Sequence, residues 1–224
     1  MPQPYLLEIC CDSYEDALAA QEGGAHRIEL CAELPTGGLS PDLTLFKKVK
    51  AALDIPVFVL IRCRDGDFYY KKEEIDLMVS QIQEFVAAGA DGIVCGALTA
   101  NGDLDLSATT QFIEAAQGLP FTFHRAFDKV NHPEQALEQL ISLGCNRILT
   151  SGQQKTALEG IPLLKKLQSQ AADRLTILVA GSVRPTNLPT LLQHPEFKEF
   201  HSAARPSPSE RVKAEWVEGM AIGF

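Results

Sequence analysis

The chain of 224 residues carries a formal charge of −9 and is 46% hydrophobic. It is long enough to bury a core unaided and, being acidic with no basic block, is excluded as a reader of phosphate backbones. No apolar run approaches the roughly 18 residues of a membrane-spanning helix, and Met1–Ser13 lacks the basic and apolar regions of a signal peptide. The six cysteines, with Cys10 and Cys11 adjacent, form no spaced disulfide framework, so reduced thiols in a reducing cytoplasm are expected.

Short apolar runs begin near Tyr5, Arg27, Pro56, Gly92, Pro120, Arg147, Leu175 and Glu199 and alternate with longer amphipathic stretches. Ser13 with Asp16 reads as a helix start before Ala17-Leu18. Pro41 and Pro133 suit the first turns of helices over Leu43–Leu53 and Glu134–Leu143. Glu22–Ile28, Ala88–Ile93 and Leu143–Ile148 repeat one layout, in which Gly ends a helix before the next strand. The runs recur about every 28 residues, as βα units do. Eight such units in this length fit a closed, parallel (β/α)8 TIM barrel. An open doubly wound sheet is the competing layout, but no GxGxxG follows a strand, and no nucleotide cofactor is expected. Residues 1–205 read as a single barrel domain and 206–224 as a short C-terminal tail, with one helix marked by Val212 and Trp216. The final outer helix is therefore expected to be short or displaced. The flank it leaves uncovered favours a homo-oligomer, a dimer foremost.

Strand alternation selects candidate site residues. With Leu7 and Ile9 under the helices, Glu8 and Cys10 face inward. The same parity turns Glu29, Cys31, Arg62, His124 and His201 toward the interior. Burying these groups is costly unless they pair or bind something, and they lie toward the strand ends where barrel active sites are built. The opposing reading is a self-satisfied network of Glu8 or Glu29 with Arg62 and the two histidines. Arg125 is expected to pair with Asp128. Ser151 and Gln153 offer polar groups after the sixth strand, and the long Arg62–Lys72 connection suits a lid. Ala180-Gly181-Ser182 follows the seventh strand, where many barrels bind phosphate. His26, His132 and His194 read as surface residues, and Cys63, Cys95 and Cys145 as packing. Cys10 and Cys31 end adjacent strands at matching positions, about 4.8 Å apart, and two thiolates so placed suit Cu(I). No CxxC or Cys/His zinc spacing is present. No strand carries a Lys for Schiff-base chemistry.

The stretches Glu8-Ile9-Cys10-Cys11-Asp12-Ser13, Gly23–Cys31, Gly37–Pro41, Thr122–Asp128 and Arg147–Gly152, closed by Glu199-Phe200-His201 and Ala204-Arg205, resemble the CutC family over about Leu6–Arg205. The resemblance implies a cytoplasmic, oligomeric TIM barrel assigned to copper homeostasis, with a Cu(I) ligand pair falling on Cys10 and Cys31. The sequence departs from the family pattern at Cys63 and Asp65. It departs again at Ala180-Gly181-Ser182, which replaces a Gly-rich turn and counts against a phosphate site there.

Two functions follow. One is copper handling through Cys10 and Cys31. The other is a barrel enzyme of isomerase, epimerase or lyase type acting on a small anionic or polyol substrate. In it Glu29 or Glu8 is the base, His124 the acid or polariser, and Arg62 with Arg125 an anion clamp. Asp128 and His201 complete that pocket, and Ser151, Gln153 and Arg205 contact substrate. A variant holds a hard divalent cation between carboxylates and imidazoles. Either way the partner is a metal ion or small molecule, with no nucleic acid and no membrane.

Overall fold

Period-two alternation of apolar residues builds eight short parallel strands. They are β1 (Leu6–Cys11), β2 (Arg27–Leu30), β3 (Val57–Leu60), β4 (Gly92–Cys95), β5 (Phe121–Phe123), β6 (Arg147–Thr150), β7 (Thr176–Val179) and β8 (Glu199–Ser202). Neighbours pair in chain order, and β8 closes on β1 to complete the barrel. Each strand starts within one residue of the position read from the sequence. The computed structural model describes residues 5–207 and 210–221. None of its helices is long and apolar enough to cross a membrane.

The outward set of each strand, such as Leu7 and Ile9 of β1, Ile28 and Leu30 of β2 and Ile177 and Val179 of β7, packs in one continuous core beneath the helices. These are α1 (Tyr14–Glu22), α2 (Leu43–Ala52), α3 (Lys72–Ala87), α4 (Leu106–Ala115), α5 (Pro133–Ser142), α6 (Ala157–Ala171), α7 (Leu188–Leu191) and α8 (Ala214–Ala221). The inward set splits into two small apolar clusters, Cys31 with Phe58, Leu60 and Val94, and Leu149 with Leu178 and Ala180. Polar side chains fill the remaining interior.

Local chemistry marks the helix starts. Ser13 caps α1 by accepting from the Asp16 amide, and Pro133 opens α5. Asp42, not Pro41, opens α2: its carboxylate accepts from the Thr44 and Leu45 amides, so Pro41 stands before the cap.

At the end of the chain the expected short final helix is present, but the expected bare flank is not. The eighth helix is short but not displaced. Arg205 donates to Asp12 and Asp16, both at 3.1 Å, and the Val212 amide donates to Asp16 at 3.0 Å. These bonds steer the chain back over β1. There α8 buries Val217 and Met220 completely, and the Tyr5 hydroxyl donates to the Met220 carbonyl. The flank expected to be bare is thus covered, and the shortest outer helix is α7.

Close docking of α8 depends on Gly23. A Cβ at that position would lie 2.5 Å from both the Ala214 carbonyl oxygen and the Val217 Cβ. Gly23 has an ordinary helical φ of −76°, so alanine costs packing and not backbone strain. Gly23→Ala is expected to lower unfolding free energy by about 1–3 kcal/mol. It should also red-shift the emission of Trp216, the only tryptophan, because α8 is pushed outward. Unchanged emission and denaturant midpoint would contradict this account.

Candidate functional site

The barrel interior is organised by a buried chain of charges at its N-terminal end. Gly92 has no side chain, and the Phe58 ring takes that space: a Cβ there would come within 2.5 Å of the ring. The Arg27 guanidinium lies 4.5 Å over Phe58 and that of Arg147 5.6 Å. Arg147 pairs with Glu199 at 2.8 Å, Glu199 with Arg27 at 2.9 Å, and Arg27 with Glu8 at 2.5 Å. Glu8 reaches upward to His201 Nδ1 at 2.7 Å. Burial would raise the Glu8 carboxyl, but Arg27 and His201 outweigh it and hold it at about 2. Burial opposes the His201 imidazolium, yet Cys10, Glu8 and Glu29 around it raise it well above its ordinary value. His201 is therefore a cation fixed by an anion.

Above this network, at the C-terminal mouth, is a cavity of about 240 Å³. Its walls include Cys10, Glu29, Arg62, His124 and His201, so five of the seven inward candidates meet there. Glu8 lies beneath it, bound to His201. Glu29 is buried with one carboxyl oxygen lacking any hydrogen-bond partner among the described residues. Burial is the main cause of its rise to about 7. His124 fits because Gly96 leaves room; a Cβ there would stand 2.7 Å from His124 Nδ1. Nδ1 accepts from the Ala126 amide, while burial, aided by Arg62, lowers the imidazole to about 3. His124 is thus neutral, with its proton on Nε2, which has no partner among the described residues. That makes it a polariser, not an imidazolium acid.

The other candidates are placed differently. Cys31 faces inward but is fully buried, with its thiol donating to the Cys11 carbonyl at 3.5 Å. It does not stand opposite Cys10, because Glu29 is the register partner of Cys10. Cys31 lies two residues further on, a consequence of the stagger between strands in a tilted barrel. Arg125 lines the mouth and pairs with Asp128 at 2.8 Å. Asp128 also accepts from Thr150 Oγ1, the Ser151 amide and hydroxyl, and the Gln153 amide. Asp128, Ser151 and Gln153 are therefore a brace for the loop after β6, beside the cavity and not on its wall. Arg205 is committed to Asp12 and Asp16. The segment after Arg62 is bonded within itself and to the start of α3: Arg64 donates to Asp67, the Tyr69 carbonyl and Glu74. It sets Phe68 against His124, with ring centroids 4.9 Å apart. His26, expected at the surface, is half-buried and accepts from the Leu7 amide.

Arg27, Arg147 and Glu199 escaped the sequence reading although parity marks them: they alternate with Glu29, Leu149 and His201. Arg184, also on the cavity wall, lies in a loop and carries no periodic signal. Glu8, Glu29 and His201 bring ligand atoms within 4.8 Å of one another, but Arg27 already satisfies Glu8, so a divalent cation would have to displace it.

The model of the CutC family matches residues 5–206. The chain belongs to the CutC family. A family protein CutC of Bacteroides thetaiotaomicron is 47% identical over 213 residues, 93% of this chain and 84% of that protein. The human copper homeostasis protein cutC homolog is 44% identical over 209 residues, 93% of this chain and 77% of its own. The crystal structure of CutC from Streptococcus agalactiae has a TM-score of 0.85 at 33% identity, covering 89% of this chain and 98% of that one. The TIM barrel and the copper homeostasis family read from the sequence both stand.

Glu29 supplies a pH test. Its folded value of about 7 exceeds the ordinary 4.5, so between these limits the native state holds a proton that the unfolded chain has released. Stability therefore falls as pH rises through that window. Glu29→Gln should flatten this fall and make the variant more stable than wild type at pH 8, by up to about 3 kcal/mol. The two should differ little at pH 4. Parallel stability–pH curves would refute the buried, unpaired state of Glu29.

Proposed function

We propose that the protein handles copper in the cytoplasm and takes Cu(I) as cargo between the thiols of Cys10 and Cys31. The observation that carries this reading is two free thiols turned into one barrel interior from hydrogen-bonded neighbouring strands. Cys10 is on the cavity wall, and Cys31 is enclosed with Phe58, Leu60 and Val94. Soft sulfur donors in an apolar shell suit Cu(I). His201 and Arg184 stand beside Cys10 and bring positive charge to the anionic Cu(I)–dithiolate centre. Burial raises the Cys31 thiol well above its ordinary value, so the metal must displace a proton there. The human and mouse relatives named for copper homeostasis support the same reading.

The test is Cu(I) titration against a chromogenic chelator under anaerobic conditions. Wild type should bind one Cu(I), and Cys10→Ser/Cys31→Ser should lose at least about 100-fold in affinity. Equal affinity in wild type and double variant overturns the assignment.

A second reading is favoured by Glu29 and His124, an unpaired carboxyl near neutrality and a neutral imidazole on one cavity. This pair suits proton abstraction next to a carbonyl: Glu29 takes the proton and the His124 N–H polarises the oxygen. The enzyme would act on a small anionic or polyol substrate as an isomerase, epimerase or lyase. A thermal-shift screen of small metabolites checks it. A ligand of this pocket should raise the midpoint of wild type more than that of Glu29→Gln/His124→Ala. No such difference for any metabolite counts against the enzyme.

A further inference from the structure

Among the described residues, every arginine except Arg62 and Arg184 pairs with a carboxylate. The two exceptions stand on the same mouth cavity. Arg62 is only 5% exposed. Its terminal nitrogens donate to the carbonyls of Thr36, Gly38 and Gly66, and its Nε has no partner among the described residues. Arg184 is half-buried, and among the described residues its side chain bonds only the neighbouring Val183 carbonyl. A desolvated guanidinium without a counter-charge is costly, and two around one cavity call for an anion from outside.

Backbone donors converge on the same place. Gly181, Ser182 and Ala203 line the cavity, and their amides donate to no acceptor among the described residues. The turn is held firmly. Gly181 has φ +100° and no room for a side chain, since a Cβ would meet that of Ser151 at 2.6 Å. Ser182 and Ala204 are non-glycine residues at positive φ, 56° and 46°, a conformation that persists only when its surroundings impose it. Successive free amides beside a cation are how backbone binds oxyanions.

We propose that the cavity binds a small phosphate ester, its phosphoryl group held by Arg184 and the amides of Gly181, Ser182 and Ala203, with Arg62 on the opposite wall. Three amides and the Arg184 guanidinium offer more donors than the two oxygens of a carboxylate can satisfy, and match the three terminal oxygens of a phosphate ester. A volume of about 240 Å³, below the 300–1,000 Å³ usual for drug-sized ligands, restricts the ester to a small carbon skeleton. The replaced Gly-rich turn does not remove the site, because the charge comes from Arg184 and Arg62. This deepens the small-ligand reading of the pocket and does not depend on the thiol pair.

The experiment is calorimetric titration of the full chain with inorganic phosphate, and separately with acetate, in chloride buffer of constant ionic strength. Wild type should bind phosphate saturably and more tightly than acetate. Arg184→Gln should weaken phosphate binding at least tenfold, and Arg184→Lys, which keeps charge without the fork, should fall between. Arg211→Gln, at an exposed ion pair, should bind as wild type does. Absence of saturable binding, equal affinity in Arg184→Gln, or acetate binding as tightly as phosphate each overturns the proposal. Phosphate binding needs no proton transfer, so it can succeed while the acid–base assignment of Glu29 and His124 fails, and the reverse.

Discussion

The Glu8 carboxylate, enclosed in the barrel and held between Arg27 and His201, is the constraint on which the rest of the interior depends. A lone carboxylate there would protonate. This one stays ionised because Arg27 stands on one side and an imidazolium on the other. Each partner is held in turn: Arg27 is shared with Glu199 and rests on Phe58, and Phe58 has its place because β4 opens with Gly92. A single missing Cβ on one strand thus sets the position of a charge three strands away. The desolvation cost of such a chain is offset only if every member is paired, and among its members the pairing runs without a gap from Arg147 to His201.

The mouth is the reverse of the floor. Below, each charge has its counter-charge within the protein. Above, Glu29, Arg62 and His124 each leave a buried polar atom unpartnered, and Arg184 has no carboxylate. These groups are not badly packed, since glycines at positions 96 and 181 and the Phe68 contact fix their surroundings. A fold that completes one polar layer and leaves the next incomplete has placed its binding capacity in the second. The floor also orders the mouth, because the His201 cation that faces Cys10 and Glu29 is set by Glu8 beneath it.

Much of this was legible from alternation alone. Glu8, Glu29, Arg62, His124 and His201 are polar residues at inward parity in apolar strands, and the barrel does turn them inward. Arg27, Arg147 and Glu199 obey the same parity but begin their strands, where charge reads as a turn boundary and not as an interior. The relation of Cys10 to Cys31 was misread for a different reason. Equal distance from strand ends means equal height only in an untilted sheet, and closing eight strands imposes a stagger. Asp128, Ser151 and Gln153 carry the polarity of a site but spend it on one another, which sequence spacing cannot reveal. Arg184 was invisible because a loop has no period.

The copper and phosphate-ester proposals draw on one electrostatic feature. Two thiolates around Cu(I) carry a net negative charge, and so does a phosphoryl group. Arg184 lies within electrostatic reach of Cys10 and shares the cavity wall with Gly181 and Ser182, so both guests would use the same cation. Charges closer than the screening length of about 8 Å at physiological ionic strength are little screened, and two anionic guests held that close oppose each other. Reciprocity then requires that whatever phosphate does to Cu(I) affinity, Cu(I) does equally to phosphate affinity. On this electrostatic ground the two ligands would weaken each other at one mouth and would not be independent occupants of a shared barrel.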